Sequence, residues 1–243
     1  MDLNQILFGI IQGVTEWLPI SSSGHLLIFT NIMKLNFPIG FFTAVHLGTL
    51  FSVLIYFRKE IIEILKSLNN FKSEGFKLFI YIIIGNFTTA IIALIFKNFF
   101  ESIFFNIKIL PYAFIFSGIL ILISWKRRGN EKINLKKALI IGAFQGISII
   151  PGISRSGVTI SSALILKTKA EEAFKFSFLL SIPTIIGANI IEIETINYDI
   201  IIPMIIAFIS GYIAIHIVKK FLKYFHLFSI YCFLIGIILL WRA

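Results

Sequence analysis

The sequence is poor in almost everything that marks a soluble enzyme. Only 14% of its 243 residues are charged, with just 12 acidic side chains, against roughly 25% charged in an ordinary soluble domain. That scarcity excludes a disordered chain, which lives on charge. Cysteine is nearly absent: Cys232 stands alone, so no intramolecular disulfide and no cysteine-based zinc site is available. A basic leader is missing too. The first apolar run has no Lys or Arg ahead of it and no small-residue cleavage site behind it, and it is read as part of the mature fold.

Apolar residues make up 58% of the chain, and the mean hydropathy is +0.94. They come in long blocks, which predicts an all-α polytopic membrane protein with residues 1–243 forming a single membrane domain. The net charge of +10 then points to basic loops on the cytoplasmic side rather than to nucleic acid. Six segments read as plain spans, at about 37–57, 78–96, 109–125, 173–191, 200–218 and 225–241.

Two further segments, about 3–33 and 138–167, are each broken by small polar residues. The breaks read Pro19-Ile20-Ser21-Ser22-Ser23-Gly24-His25 and Pro151-Gly152-Ile153-Ser154-Arg155-Ser156-Gly157. Non-helical backbone survives at membrane depth only where protein buries it or where it lines a watery cavity. Both segments are therefore predicted to be re-entrant hairpins.

They are also copies. Gly9, Gln12, Gly13, Ser21, Ser23 and Gly24 recur 133 positions later as Gly142, Gln145, Gly146, Ser154, Ser156 and Gly157, and Phe41 recurs as Phe174. Repeat one covers about 1–133 and repeat two about 134–243. Each half holds one hairpin and three spans. Three is odd, so the second half enters the membrane the other way up, as an inverted repeat with its site between the halves.

With re-entrant hairpins, one membrane face receives 17 Lys and Arg and the other 4; with single crossings the split is 12 against 9. The first arrangement is the one the positive-inside rule selects. It places both termini and the acidic run from Glu192 to Asp199 outside the cytoplasm.

The polar residues inside these segments need a reason. Glu16 lies four residues after Gln12, on the same helical face, and a carboxylate at that depth costs at least ~2.5 kcal/mol. The bland alternative is a protonated or snorkelling Glu. Ser21, Ser22 and Ser23 suit a helix cap, yet capping does not explain a duplicated S-x-S-G. A serine loop opening a helix offers N–H and O–H donors to an anion. Arg155 is the one mid-segment cation. It serves either as a salt-bridge partner for Glu16 or as a phosphate clamp, with its planar fork facing the serines. His25 has the chemistry of a general acid, base or nucleophile. His46 reads as structural or at most supporting, and His216 and His226 as interface residues. Glu60, Glu63 and Lys66 read as an amphipathic stretch on the inner membrane surface. Carboxylate, hydroxyl, imidazole and guanidinium together suit a lipid-linked phosphate or diphosphate.

The stretch Gln12-Gly13-Val14-Thr15-Glu16-Trp17-Leu18-Pro19-Ile20-Ser21-Ser22-Ser23-Gly24-His25 resembles the first signature of the undecaprenyl-diphosphate phosphatase family of bacteria, the bacitracin-resistance type. Pro151 to Gly157 resembles its second. The resemblance covers the whole chain. It implies hydrolysis of undecaprenyl diphosphate to the monophosphate and inorganic phosphate, which recycles the carrier lipid for wall synthesis in the bacterial cytoplasmic membrane. It further implies Glu16, Ser22, His25 and Arg155 as the catalytic set. Gln12, Ser21, Ser23, Ser154, Ser156 and Gly157 would bind substrate. A divalent cation, magnesium or calcium, would sit on Glu16. Gln12 stands at a position that is Glu or Gln in the family, so coordination by two carboxylates is in doubt here. The nucleophile stays open between Ser22, His25 and water, and a homodimer stays open as an assembly.

Two rivals are set against this reading. A polyprenyl-phosphate flippase or secondary transporter shares the inverted-repeat architecture but needs no nucleophile beside a base. The type-2 phosphatidic acid phosphatases share S-G-H and S-R pieces, but they require an Arg-Pro dipeptide and a His-x3-Asp, and this chain has neither.

Overall fold

A computed structural model of the chain describes residues 3–127, 129–191 and 200–242. Arg128, the acidic run from Glu192 to Asp199 and both chain ends lie outside the described residues, and so do the expectations attached to them.

Each of the two broken segments folds as a helix–turn–helix pair. The first pairs α1 (Leu3–Trp17) with α2 (Ser22–Ile32). The plain spans follow as α3 (Ile39–Tyr56), the short α4 (Arg58–Lys66), α5 (Glu74–Ile95), the short α6 (Lys97–Ile103) and α7 (Leu110–Ser124). The second hairpin pairs α8 (Leu135–Ile147) with α9 (Arg155–Ile165), ahead of α10 (Ala170–Ile191), α11 (Ile201–Phe221) and α12 (Phe228–Arg242). The stretch around Glu60 and Glu63, expected as an amphipathic surface segment, is α4, with Ile64 turned inward and both glutamates outward or half-buried.

Among the described residues, five helical stretches are long and apolar enough to cross a membrane. The last runs for 42 residues, from Ile201 to Arg242. At Tyr224 the backbone leaves helical geometry (φ −104°, ψ 19°) inside a 3₁₀ segment, Leu222–Leu227. That break divides the stretch into α11 and α12, so the six predicted spans are all accounted for. Large apolar side chains such as Phe87, Leu94, Ile190 and Ile213 point outward, as a lipid-facing surface requires. The chain is an all-α polytopic membrane protein.

Packing exchanges the hairpins between the two halves. Helix α1 lies along α11, and α8 lies along α5. Both crossings are made close by glycine. A Cβ on Gly13 would collide with Ser210 and the Ala207 carbonyl, and one on Gly142 with the Gly85 carbonyl. Small residues let backbones approach where apolar burial gives no drive, since lipid is as apolar as the side chains. The polar tips of the hairpins then meet in the middle: Ser156 donates to the Leu18 carbonyl (3.2 Å), and Gly24 packs on Gly152.

Candidate active site

The two serine loops are built alike. Ser21 caps α2 by accepting from the Gly24 amide (3.3 Å), and Ser154 caps α9 by accepting from the Gly157 amide (3.1 Å). In each loop the second serine sits 3.4 Å from the first: Ser23 from Ser21, and Ser156 from Ser154. One difference separates them. Ser21 is held at φ 68° while Ser154 sits at −77°; the second loop makes its left-handed turn at Gly152 instead (φ 92°). A serine in that region costs of order 1–3 kcal/mol, whereas glycine adopts it freely.

The strained turn delivers Ser22 to Glu16. Ser22 Oγ donates to Glu16 Oε2 at 2.6 Å. Gln12, one turn back on α1 and fully buried, donates from Nε2 to the same oxygen at 3.1 Å. Arg155 donates from Nη2 to the other oxygen, Oε1, at 2.5 Å. The fourth neighbour is His46 on α3, whose Nε2 lies 3.3 Å from Oε2. Its Nδ1 donates to the Phe42 carbonyl at 2.7 Å, which fixes the ring. The sequence reading placed His46 outside the centre; packing of α3 on α1 puts it inside.

Trp17 is also part of the arrangement. The Arg155 guanidinium lies over its ring, 5.1 Å from the centroid. The indole is itself fixed by Ser52 (3.0 Å) and by stacking on Phe178. Arg155 is thus aimed by an ion pair on one side and a cation–π contact on the other. Its Nη1 is buried without a hydrogen-bond partner, a donor pair committed to nothing.

Glu16, His46 and Arg155 line a cavity of about 230 Å³ together with Ser21, Ser22, Ser23, Ser154, Ser148, Thr184 and Asn189. His25 is turned away from it. Nδ1 donates back to the Ser21 carbonyl (2.7 Å), leaving Nε2 to accept from the Tyr231 hydroxyl (2.6 Å), with the two rings stacked. The structure therefore brings Glu16, Ser22, Arg155 and Gln12 together and sets His25 behind the loop. Gln145, the counterpart of Gln12, holds Thr89 and Thr184 instead of a carboxylate.

Among the described residues, no three His, Cys, Asp or Glu side chains gather as a metal cage. What the site offers a cation is narrower. Glu16 is the one carboxylate on the cavity wall, and Gln12 Oε1 beside it is buried without a partner. Hard oxygen donors of this number suit a cation that takes its remaining ligands from substrate phosphates and water.

A Ser hydroxyl on a carboxylate, beside a guanidinium and a ring of hydroxyls, is equipped to hold a phosphate and to activate an oxygen nucleophile against it. Comparison with known proteins agrees in kind. The family model described as bacitracin resistance protein BacA matches residues 5–238. An undecaprenyl-diphosphatase of Thermosipho africanus is 42% identical over 97% of this chain and 98% of its own. Proteins of the same name from Korarchaeum cryptofilum and Methanococcus vannielii are 39% and 38% identical, over 99% and 96% of this chain and of their own.

Proposed function

The chain belongs to the family of the bacitracin resistance protein BacA, and from that membership we propose that it is an undecaprenyl-diphosphate phosphatase. It releases inorganic phosphate from the lipid diphosphate and leaves the monophosphate for another round of wall synthesis. The observation that carries the reading is the 2.6 Å contact from Ser22 Oγ to Glu16 Oε2, with Arg155 on the opposite oxygen.

In the proposed reaction Ser22 is the nucleophile. Its oxygen attacks the terminal phosphorus while its proton passes to Glu16. The bridging P–O bond breaks, and its electron pair leaves with the lipid monophosphate. Water then hydrolyses the serine phosphate. Arg155 Nη1 and the cavity-lining serines Ser21, Ser23 and Ser154 bind the phosphates, while Ser156 and the Gly157 amide, expected as further donors, are engaged by the Leu18 carbonyl and Ser154 Oγ and shape the second loop. Phosphoryl transfer asks mainly for such positioning and charge neutralisation. His25 acts through the loop: its bond to the Ser21 carbonyl supports the strained turn that presents Ser22. A divalent cation, magnesium or calcium, would be held by Glu16 together with the substrate's phosphates, where it supplies further charge neutralisation.

The same reading sets the two halves as inverted repeats in the cytoplasmic membrane, with both termini outside and the first hairpin entered from the outer side. The isoprenyl tail would lie along the apolar spans. Phosphate release from the purified protein given isoprenyl diphosphates, with and without chelator, tests the activity. No release under either condition sinks it, and lipid transfer between leaflets without release would favour the flippase alternative.

A further inference from the structure

We propose that the protein carries a second lipid site, a lysine-lined cavity at the basic face of the membrane that takes an anionic phosphate head group and does no chemistry on it. The cavity measures about 740 Å³ and lies among the end of α3, the start of α10 and the end of α11. Tyr56 on its wall comes ten residues after His46 of the reaction cavity, which is about 15 Å along α3.

The internal repeat relates the two cavities. At the same offset of 133, Phe42 in the reaction cavity corresponds to Lys175 in the second, and Tyr56 in the second corresponds to Asn189 in the first. The chemistry has diverged. Among the described residues, no serine, threonine, histidine or cysteine lines the second cavity. It has the means to bind an anion but no counterpart of the Ser22–Glu16 pair to cleave one.

Five lysines line it against three glutamates. Two of the glutamates are engaged locally, Glu171 by Lys169 (2.7 Å) and Glu172 by Lys175 (2.9 Å). The surplus of positive charge falls at the end of α11, where Lys219 and Lys220 occupy the last turn and Lys223 follows. Glu60 is the remaining carboxylate on the wall. Lys219 is held over the Tyr56 ring, 5.7 Å from its centroid, and the buried Phe57, Phe174 and Leu222 supply apolar wall. Orientation by the positive-inside rule needs lysines only near the interface. Here they ring a cavity between spans, the arrangement that receives phosphate head groups.

The surface beside the lysines favours a lipid over a free ion. Ile213, Ile217 and Lys220 share one face of α11 by their spacing of four and three, and both isoleucines point outward. A lipid with its phosphate among the lysines lays its chain down that face, which a phosphate ion cannot do.

The test uses the full chain in detergent and counts bound lipid by native mass spectrometry, phosphatidylglycerol against phosphatidylcholine. Wild type should retain phosphatidylglycerol preferentially. Lys219→Gln with Lys220→Gln should weaken that retention by about 10- to 30-fold, the scale for two interfacial lysines. Glu60→Gln should tighten it, a gain that a misfolded variant cannot give. Lys126→Gln with Arg127→Gln removes the same charge outside the cavity and should change little. Arg155→Ala with Glu16→Gln, which strips the reaction cavity of its clamp, should also change little. Equal retention of the two lipids overturns the inference, and so do equal losses in the two double variants that remove surface charge. Loss on stripping the reaction cavity would place the lipid there and overturn it too. Displacement of the lipid by excess inorganic phosphate at constant ionic strength would make the ligand a free anion and overturn the lipid assignment. None of these readings depends on phosphate release, so the phosphatase reading stands or falls separately.

Discussion

Ser22 and Arg155 are counterparts. They stand 133 residues apart, at the same position of the two copied loops, and they grip the two oxygens of a single carboxylate, Glu16. Within the shared S-x-S-G the flanking residues are identical and only this position differs. There, one copy supplies a hydroxyl and the other a guanidinium. Ile149 occupies the place matching Glu16 in the second half, so the carboxylate is not duplicated and only one reaction centre forms.

Arg155→Ala should lower turnover by at least about 10²-fold, the scale for losing one preorganised charged donor. It also strands Glu16, whose side chain is 7% exposed, and breaking such a buried pair costs about 3 kcal/mol. Adding Glu16→Gln should restore thermal stability without restoring turnover. Arg155→Lys should recover little, because a point charge replaces a planar fork. Melting curves and phosphate release for all four proteins read the cycle; near-wild-type turnover in the alanine variant would make Arg155 structural.

Ser22→Ala should abolish detectable turnover, a fall of at least about 10³-fold for loss of a nucleophile, with folding intact. Ser21→Gly should stabilise by about 1 kcal/mol, since relief of the positive φ, of order 1–3 kcal/mol, outweighs the lost cap, which costs only a few tenths of a kcal/mol when glycine replaces serine. Brief exposure to terminally labelled isoprenyl diphosphate followed by acid quench should leave label on wild-type protein and none on the Ser22 variant. Label remaining on the Ser22→Ala chain would assign the attack to another residue.

Stability in mild acid should depend on the base of the second hairpin. Lys137, 5% exposed, meets Glu131 (2.9 Å), the Thr168 hydroxyl (3.2 Å) and the Lys132 carbonyl (3.1 Å), tying the start of α8 to the turn after α9. The Lys137 ammonium holds the exposed Glu131 carboxyl below its ordinary value. A depressed carboxylate stabilises above its unfolded pKa of about 4.3 and loses that contribution as pH falls through its lower folded value. Glu131→Gln should therefore flatten the acid limb of a melting-temperature profile below about pH 4, and an unchanged limb would remove this pair from the acid response.

The division of basic residues, 17 against 4, predicts that a C-terminal reporter works only outside the cytoplasm. In sealed vesicles of known orientation, a membrane-impermeant chelator should inhibit from the outer side alone. Inhibition from the cytoplasmic side would reverse the assignment of the first hairpin.

The spans, the two broken segments and their duplication were legible because each is local: a run of apolar residues, a polar interruption, a fixed offset. Glu16, Ser22 and Arg155 were legible because burying a charge and a serine loop in an apolar chain demands a partner. The place of His46 was not, since nothing near it in sequence refers to Glu16; the contact exists because α3 packs beside α1. His25 failed differently. Its closeness to the serines suggested a place in the cavity, and at i+3 it is a helical neighbour of Ser22, yet its ring is held outside the cavity. There the Ser21 carbonyl, one turn back, and Tyr231, 206 residues away, engage both nitrogens. The Trp17 platform under Arg155 was hidden for the same reason as His46: its partners Ser52 and Phe178 come from distant spans.

The crossing of α1 on α11 has a bearing on how the protein is made. Gly9 waits for Pro203, and Gly13 for Ala207 and Ser210, almost 200 residues further along the chain. At roughly 5–20 residues per second, the first hairpin is synthesised some 10–40 s before the helix that receives it. Glu16 waits nearly as long for Arg155. During that interval the hairpin has its polar tip in the bilayer without its counterpart, a nascent state with every reason to be held by the insertion machinery until the last two helices arrive.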